Sequence, residues 1–199
     1  MKVMNEKEAE DFLEKKGFNI NKRGFASDLN KTKEIAKKIG YPVVLKNIKL
    51  LHKSEKGGVK LQVNENNIDS AFKELKSNEI LIHKQIEGKE FLLGIKKDPT
   101  FGYVIAFGLG GIYTEILKDV SFRIFPIEKK DAEKMVEELK FKKYYEARNI
   151  KVNKSLIIKN ILKLNDLIKN NKKIVELDIN PLIVNETSAL VADARIVME

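Results

Sequence analysis

The chain contains no cysteine, which removes disulfides, thiolate metal sites and cysteine nucleophiles at once. Proline is scarce, with four residues in 199, while 43% of the chain is hydrophobic and 34% charged. That balance excludes a disordered, Pro-rich tract and reads as a globular protein. No apolar run approaches the roughly 18–20 residues that span a bilayer. The opening Met1-Lys2-Val3-Met4-Asn5-Glu6 carries no hydrophobic h-region. The expectation is a cytoplasmic protein with no membrane partner. Arginine is rare as well. Of 38 basic residues only Arg23, Arg123, Arg148 and Arg195 are arginine, and the lysines are scattered over the polar faces of predicted helices. A nucleic-acid binder concentrates its charge in a stripe and interleaves aromatics. The net charge of +9 therefore reads as solvated surface, with no nucleic-acid partner expected.

The pattern along the chain predicts an α+β order with two sheets and no repeat. Asn5 and Glu8 have capping-box spacing ahead of a helix that stops at Gly17. A second helix is predicted over 29–39, ending at Gly40. Strands are predicted at 41–46, 59–63, 79–83, 89–96, 103–107, 112–117, 120–125, 174–179 and 190–197. Further helices are expected near 68–75, 130–139 and 155–169.

Three segments carry charge and glycine in patterns that suit chemistry. In the first, Val43-Val44-Leu45-Lys46 ends a hydrophobic strand in a cation, and Gly57-Gly58 opens the next strand after a loop that contains His52. Paired glycines let backbone N–H groups approach an anion closely. An ordinary hairpin would read the same way. In the second, Gly108-Leu109-Gly110-Gly111 joins two strands rather than a strand and a helix. It therefore fails the context of a dinucleotide fingerprint or a Walker loop and reads as a mobile flap, with Glu115, Lys118, Asp119 and Arg123 placing charge around it. In the third, Glu176, Asp178 and Asn180 alternate with Leu177 and Ile179, which puts three oxygen-bearing side chains on one strand face. A second strand carries Asp193. Such a face is either a set of Mg²⁺ ligands, since Mg²⁺ takes hard oxygens, or the solvated side of an edge strand.

Taken in order, these segments resemble the ATP-grasp family. The nearest pattern is the nucleotide-binding beta subunit of ADP-forming acetyl-CoA synthetases, with succinyl-CoA synthetase beta subunits more distant. The matching stretches are Gly40-Tyr41-Pro42-Val43-Val44-Leu45-Lys46, Leu51-His52-Lys53-Ser54-Glu55, Gly57-Gly58-Val59-Lys60-Leu61, Phe107-Gly108-Leu109-Gly110-Gly111, Lys118-Asp119-Val120-Ser121-Phe122-Arg123 and Glu176-Leu177-Asp178-Ile179-Asn180-Pro181-Leu182. The chain departs from the family at Ser54-Glu55-Lys56, where Ser-Asp is common, and at Arg148-Asn149, where the family has Arg-Gly.

The resemblance implies a two-lobed ATP-grasp fold with nucleotide between the lobes. An N-terminal helix (1–17) precedes an N-terminal lobe (18–85) and a Mg-binding C-terminal lobe (86–199). It implies Mg²⁺ as cofactor and ATP or ADP as substrate. Lys46, Gly57 and Gly58 would meet the phosphates, His83, Lys84 and Ile86 the adenine, and Glu90 the ribose. Asn180, Asp193 and Asp178 would bind the metal. His52 would carry phosphate in relay, with Arg123 a second candidate catalytic residue. The implied reaction is acyl-CoA + ADP + phosphate ⇌ carboxylic acid + ATP + CoA. No CoA-binding Rossmann unit is visible, so a CoA-binding alpha subunit is the expected partner in a hetero-oligomer. A stand-alone carboxylate ligase working through an acyl phosphate, and a non-catalytic nucleotide-binding subunit, are the competing readings.

Overall fold

The computed structural model describes residues 1–50, 57–111, 117–140 and 151–199. These form two units: Met1–Ile20 with Glu87–Glu199, and Asn21–Ile86. Each is an antiparallel sheet with helices packed on it, the α+β order that the pattern predicts.

In the Asn21–Ile86 unit, β2 (Arg23–Ala26), β5 (Ile80–Lys84), β3 (Val43–Asn47) and β4 (Val59–Val63) lie side by side in that order. Helices α2 (Leu29–Ile39) and α3 (Ile68–Leu75) pack on the sheet. Asp28 caps α2 by accepting the Lys31 N–H at 2.8 Å, and Gly40 ends it at φ +90°. Val43, Leu45, Ile80 and Ile82 meet Ala36, Ile68, Ala71 and Leu75 in one core. Because β3 is paired on both sides, all five of its residues are buried. Strand β2 has no apolar alternation to announce it. It forms as the partner of β5, and Gly24 lets α2 come close to it: a Cβ there would sit 2.4 Å from Ile35 Cγ2.

The other unit is built on seven strands. They are β1 (Lys2–Met4), β6 (Lys89–Asp98), β7 (Gly102–Leu109), β8 (Val120–Ile124), β9 (Ile174–Val184), β10 (Ala189–Val191) and β11 (Ala194–Met198). The order across the sheet is β1-β11-β9-β6-β7-β8, and β10 pairs with β9. The expected closing strand over 190–197 is therefore two strands, because Ala192 and Asp193 leave the ladder between β10 and β11. Strand β1 was not legible either; it is three residues long and exists only as the partner of β11. The strand expected at 112–117 falls on residues 112–116, which lie outside the described residues.

Cross-strand partners share a face, and the register sorts the side chains. One rung runs Ile196, Leu177, Ile95, Ile105, Arg123; the next runs Arg195, Asp178, Gly94, Ala106, Phe122. The first four residues of the first rung are buried in a core with α1 (Glu6–Lys15), α4 (Lys129–Glu138) and α5 (Lys154–Asn170). Phe91 and Phe107 stack in it with centroids 5.6 Å apart. The second rung lies on the opposite face, where charged residues are tolerated, as on any antiparallel sheet covered on one side.

The expected capping box opens α1. Asn5 Oδ1 accepts the Glu8 N–H at 2.9 Å, and the Glu8 carboxylate accepts the Asn5 N–H at 3.0 Å. Asn5→Ala is expected to lower stability by about 1 kcal/mol with nucleotide binding unchanged, as measured by urea denaturation and calorimetry. Among the described residues no helix is long and apolar enough to cross a membrane.

Candidate functional site

The acidic face of β9 carries Glu176, Asp178 and Asn180. Asp178 lies between Gly94 on β6 and Arg195 on β11. Burial first, then the charges of Asp193 and Glu176, push its carboxyl up to about 6, and Arg195 only partly offsets them. Arg195 is held instead by Glu176, with Nη1 donating to Oε1 at 3.0 Å. Asn180 is tied to Asp193 through the main chain, its N–H donating to the Asp193 carbonyl at 3.1 Å, and Ala192 N–H meets the Pro181 carbonyl at 3.0 Å. These bonds bring the Asp193 turn alongside Asn180, as the sequence pattern implied.

A β-bulge helps to set this geometry. Phe91 is opposite Leu182 and Leu93 is opposite Ile179, so two steps on β6 face three on β9. The extra residue lets Ile179 and Leu182 both enter the core while Asn180 and Pro181 stand between them. Bulges re-aim side chains in this way.

The glycine segment that follows β7 is not a free flap at the described positions. Gly110 N–H donates to the Glu90 carbonyl at 2.9 Å, and a Cβ on Gly110 would lie 2.6–2.8 Å from Phe91 backbone atoms. Gly111 N–H donates to Asn180 Oδ1 at 2.8 Å. Sequence reasoning missed this contact; the only trace of it is the choice of glycine at a left-handed position, φ +62°.

In the Asn21–Ile86 unit, Lys46 sits on the central strand opposite Val59 and Leu81, 7% exposed. Gly58 C=O accepts the Asn47 N–H at 2.9 Å, and Gly57 has φ +68°, so the glycine pair closes onto the end of β3. Asn47 also donates through Nδ2 to the Leu75 carbonyl at 3.1 Å and accepts the Lys49 N–H at 3.0 Å, which anchors the start of the loop. His83 is buried on β5, opposite Val44 and Arg23. Lys84 donates through Nζ to the carbonyls of Gly40 and Tyr41, each at 2.8 Å. Its carbonyl accepts from Asn21 Nδ2 at 2.7 Å and its N–H donates to Lys22 O at 2.9 Å. The Lys84 ammonium thus closes the turn after α2. Ile86 is half-buried at the end of this unit.

Two expected catalytic residues fare differently. Arg123 does not join the acidic cluster: it occupies the rung of Ile105 and Ile95, one residue out of phase with Asp178. Its guanidinium pairs with Glu138 on α4, whose carboxyl also accepts from Ser121 Oγ at 2.8 Å. The Arg123 hydrogen bond, then that of Ser121, holds the Glu138 carboxyl below its ordinary value. His52 lies outside the described residues, as do Lys53, Ser54, Glu55, Lys56, Glu115 and the Arg148-Asn149 pair.

Asp178, Asn180 and Asp193 offer only oxygen ligands, the donor chemistry Mg²⁺ takes. Burial first, and the Asp193 and Glu176 charges second, disfavour the bare Asp178 carboxylate, and a bound divalent cation would offset both. The residues present fit Mg²⁺.

Known proteins resemble this chain over most of its length. Acetate–CoA ligase (ADP-forming) I of Archaeoglobus fulgidus is 40% identical over 94% of this chain, which spans 30% of that protein's length. The beta subunit of acetate–CoA ligase (ADP-forming) I of Pyrococcus furiosus is 36% identical over 97% of this chain and 90% of the subunit. A solved structure of dinucleotide forming acetyl-coenzyme A synthetase 1 from Ca. Korarchaeum cryptofilum holds coenzyme A and Mg-AMPPCP, with its phosphohistidine segment pointing towards the nucleotide-binding site. It is similar with a TM-score of 0.84 and 32% identity, covering 100% of this chain and 93% of that one. Residues 1–198 match the ATP-grasp domain family, and the chain belongs to it.

Proposed function

We propose that the chain is the nucleotide-binding, beta-type component of an ADP-forming acyl-CoA synthetase. It performs the nucleotide half of acyl-CoA + ADP + phosphate ⇌ carboxylic acid + ATP + CoA. The observation that carries this reading is the juxtaposition of Asp178 and Asn180 on β9 with the Asp193 turn that Asn180 meets through its main chain, in a chain that covers nine-tenths of a relative described as a beta subunit. The match to nine-tenths of the Pyrococcus beta subunit supports an alpha-type partner that carries the CoA and acyl sites. The cytoplasm is the proposed compartment, since nucleotide and CoA-linked substrates are held there.

Each residue has a role in this reading. Asp178, Asn180 and Asp193 hold Mg²⁺, which when bound neutralises charge on the transferring phosphoryl group. Lys46 donates to phosphate oxygens, and the backbone amides at Gly57 and Gly58 cradle them. Glu90 accepts from the ribose hydroxyls. His83, Lys84 and Ile86 support the adenine, Lys84 through the second lone pair of its carbonyl, since its ammonium serves Gly40 and Tyr41 and its N–H serves Lys22. A neutral His52 imidazole nitrogen attacks the terminal phosphorus of ATP. The N–P bond forms as the P–O bond to the β-phosphate breaks, and ADP leaves; the reverse steps make ATP. Arg123 holds β8 to α4 through Glu138 in this structure, and its candidate catalytic role would require it to leave that pair.

Calorimetric titration with ADP, with and without Mg²⁺, tests the assignment. Mg²⁺ is expected to tighten ADP binding in the parent protein. Asp178→Asn and Asp193→Asn are expected to lose most of that gain while binding metal-free ADP as before. Equal affinity with and without Mg²⁺ in the parent protein rules the metal site out.

A further inference from the structure

We infer that Gly111 is a positioning residue for the cation site: its N–H fixes the orientation of the Asn180 amide, and its missing side chain leaves the space that the Glu90 carboxylate occupies. The inference rests on the assignment of Asn180 as a cation ligand made above.

The hydrogen bond itself decides the amide orientation. A backbone N–H only donates, so the Asn180 atom it meets at 2.8 Å is the carbonyl oxygen and not the NH₂ group. That oxygen has two lone pairs, one for Gly111 and one for a cation. Without the bond the amide is free to rotate, and its NH₂ then faces the cation, where it repels. The main-chain link from Asn180 N–H to the Asp193 carbonyl at 3.1 Å ties the second ligand to the same unit of structure.

The place of the Gly111 amide is equally constrained. Gly110 sits backbone-on-backbone against Phe91, where a Cβ would be 2.6–2.8 Å from atoms that cannot yield. At Gly111 a Cβ would be 1.8 Å from Glu90 Oε2 and 3.0 Å from its Cδ. A side chain there must displace the Glu90 carboxylate or lift the turn off Asn180. Its φ of +62° adds strain for any L side chain.

Gly102 provides the control. It has φ +74° at the first residue of β7, and a Cβ added to it would meet nothing within 4 Å. Gly111→Ala and Gly102→Ala therefore share the backbone strain, and only the first meets the site. Both are expected to lower the melting temperature. Gly111→Ala is expected to reduce the Mg²⁺ enhancement of ADP affinity about ten-fold, and Gly102→Ala to leave it at the parental value. Parental enhancement in folded Gly111→Ala overturns the inference. Amide hydrogen exchange at Gly111 gives a second reading on unmutated protein. Protection that is lost in Asn180→Ala supports the bond, and unprotected exchange in the parent overturns it. A parent protein with no Mg²⁺ enhancement at all removes the metal assignment first, and this inference with it.

Discussion

Replacing His52 by alanine is expected to abolish acyl-CoA-dependent ATP synthesis by the complex with an alpha-type partner, while ADP binding stays near the parental value. In sequence His52 lies between Lys46, the proposed phosphate cation, and the glycine pair at Gly57-Gly58. Imidazole is a nucleophile near neutral pH and its bond to phosphorus is reversible. Phosphoryl transfer depends mainly on positioning and charge, and Lys53 and Lys56 bring cations to the same loop. Lys49, which also flanks it, is engaged elsewhere: its ammonium lies 3.0 Å from Glu79 Oε1 and 3.1 Å from Asn78 Oδ1. Incubation with labelled ATP and Mg²⁺ is expected to leave an acid-labile, base-stable label on the parent protein and none on His52→Ala. Full ATP synthesis by His52→Ala would reject the relay in favour of direct transfer.

Lys46→Met is expected to weaken ADP binding roughly ten- to hundred-fold, the range that a charge-assisted hydrogen bond of about 1.5–3 kcal/mol provides. Adenosine binding should barely change, because adenosine has no phosphate. Met keeps the unbranched shape and removes only the charge. Lys46 is 7% exposed on a strand paired on both sides, and a buried ammonium is costly to desolvate. A parallel fall in adenosine and ADP affinity would make Lys46 a structural residue.

Much of the architecture was legible because its causes are local. Asn5 and Glu8 specify the start of α1 within one turn, and Asp28 and Gly40 bracket α2. Alternation along 174–179 put Asp178 on the face opposite Leu177, and the register agrees. What escaped has a cause elsewhere in the chain. Strands β1 and β2 are three and four residues long and carry no pattern of their own; β1 is defined by β11 and β2 by β5. Arg123 drew attention as a cation near a glycine loop. The rung it shares with Ile105 turns it to the helix side, where Glu138 engages it.

The sequence by itself determined the composition class, most of the helices and strands, the ordered set of motifs that mark an ATP-grasp chain, and the side of β9 on which Asp178 stands. These follow from periods of 2 and 3.6 residues and from caps that act over three or four positions. Only the tertiary structure decided which charges stand together. The bulge opposite Phe91 sets Asn180 apart from Ile179 and Leu182, the main chain of Asp193 reaches Asn180, and Gly111 meets Asn180 across 69 residues of sequence. Close approach of backbones is a property of packed pairs of strands, and a glycine shows only that space is needed there, never which atom fills it.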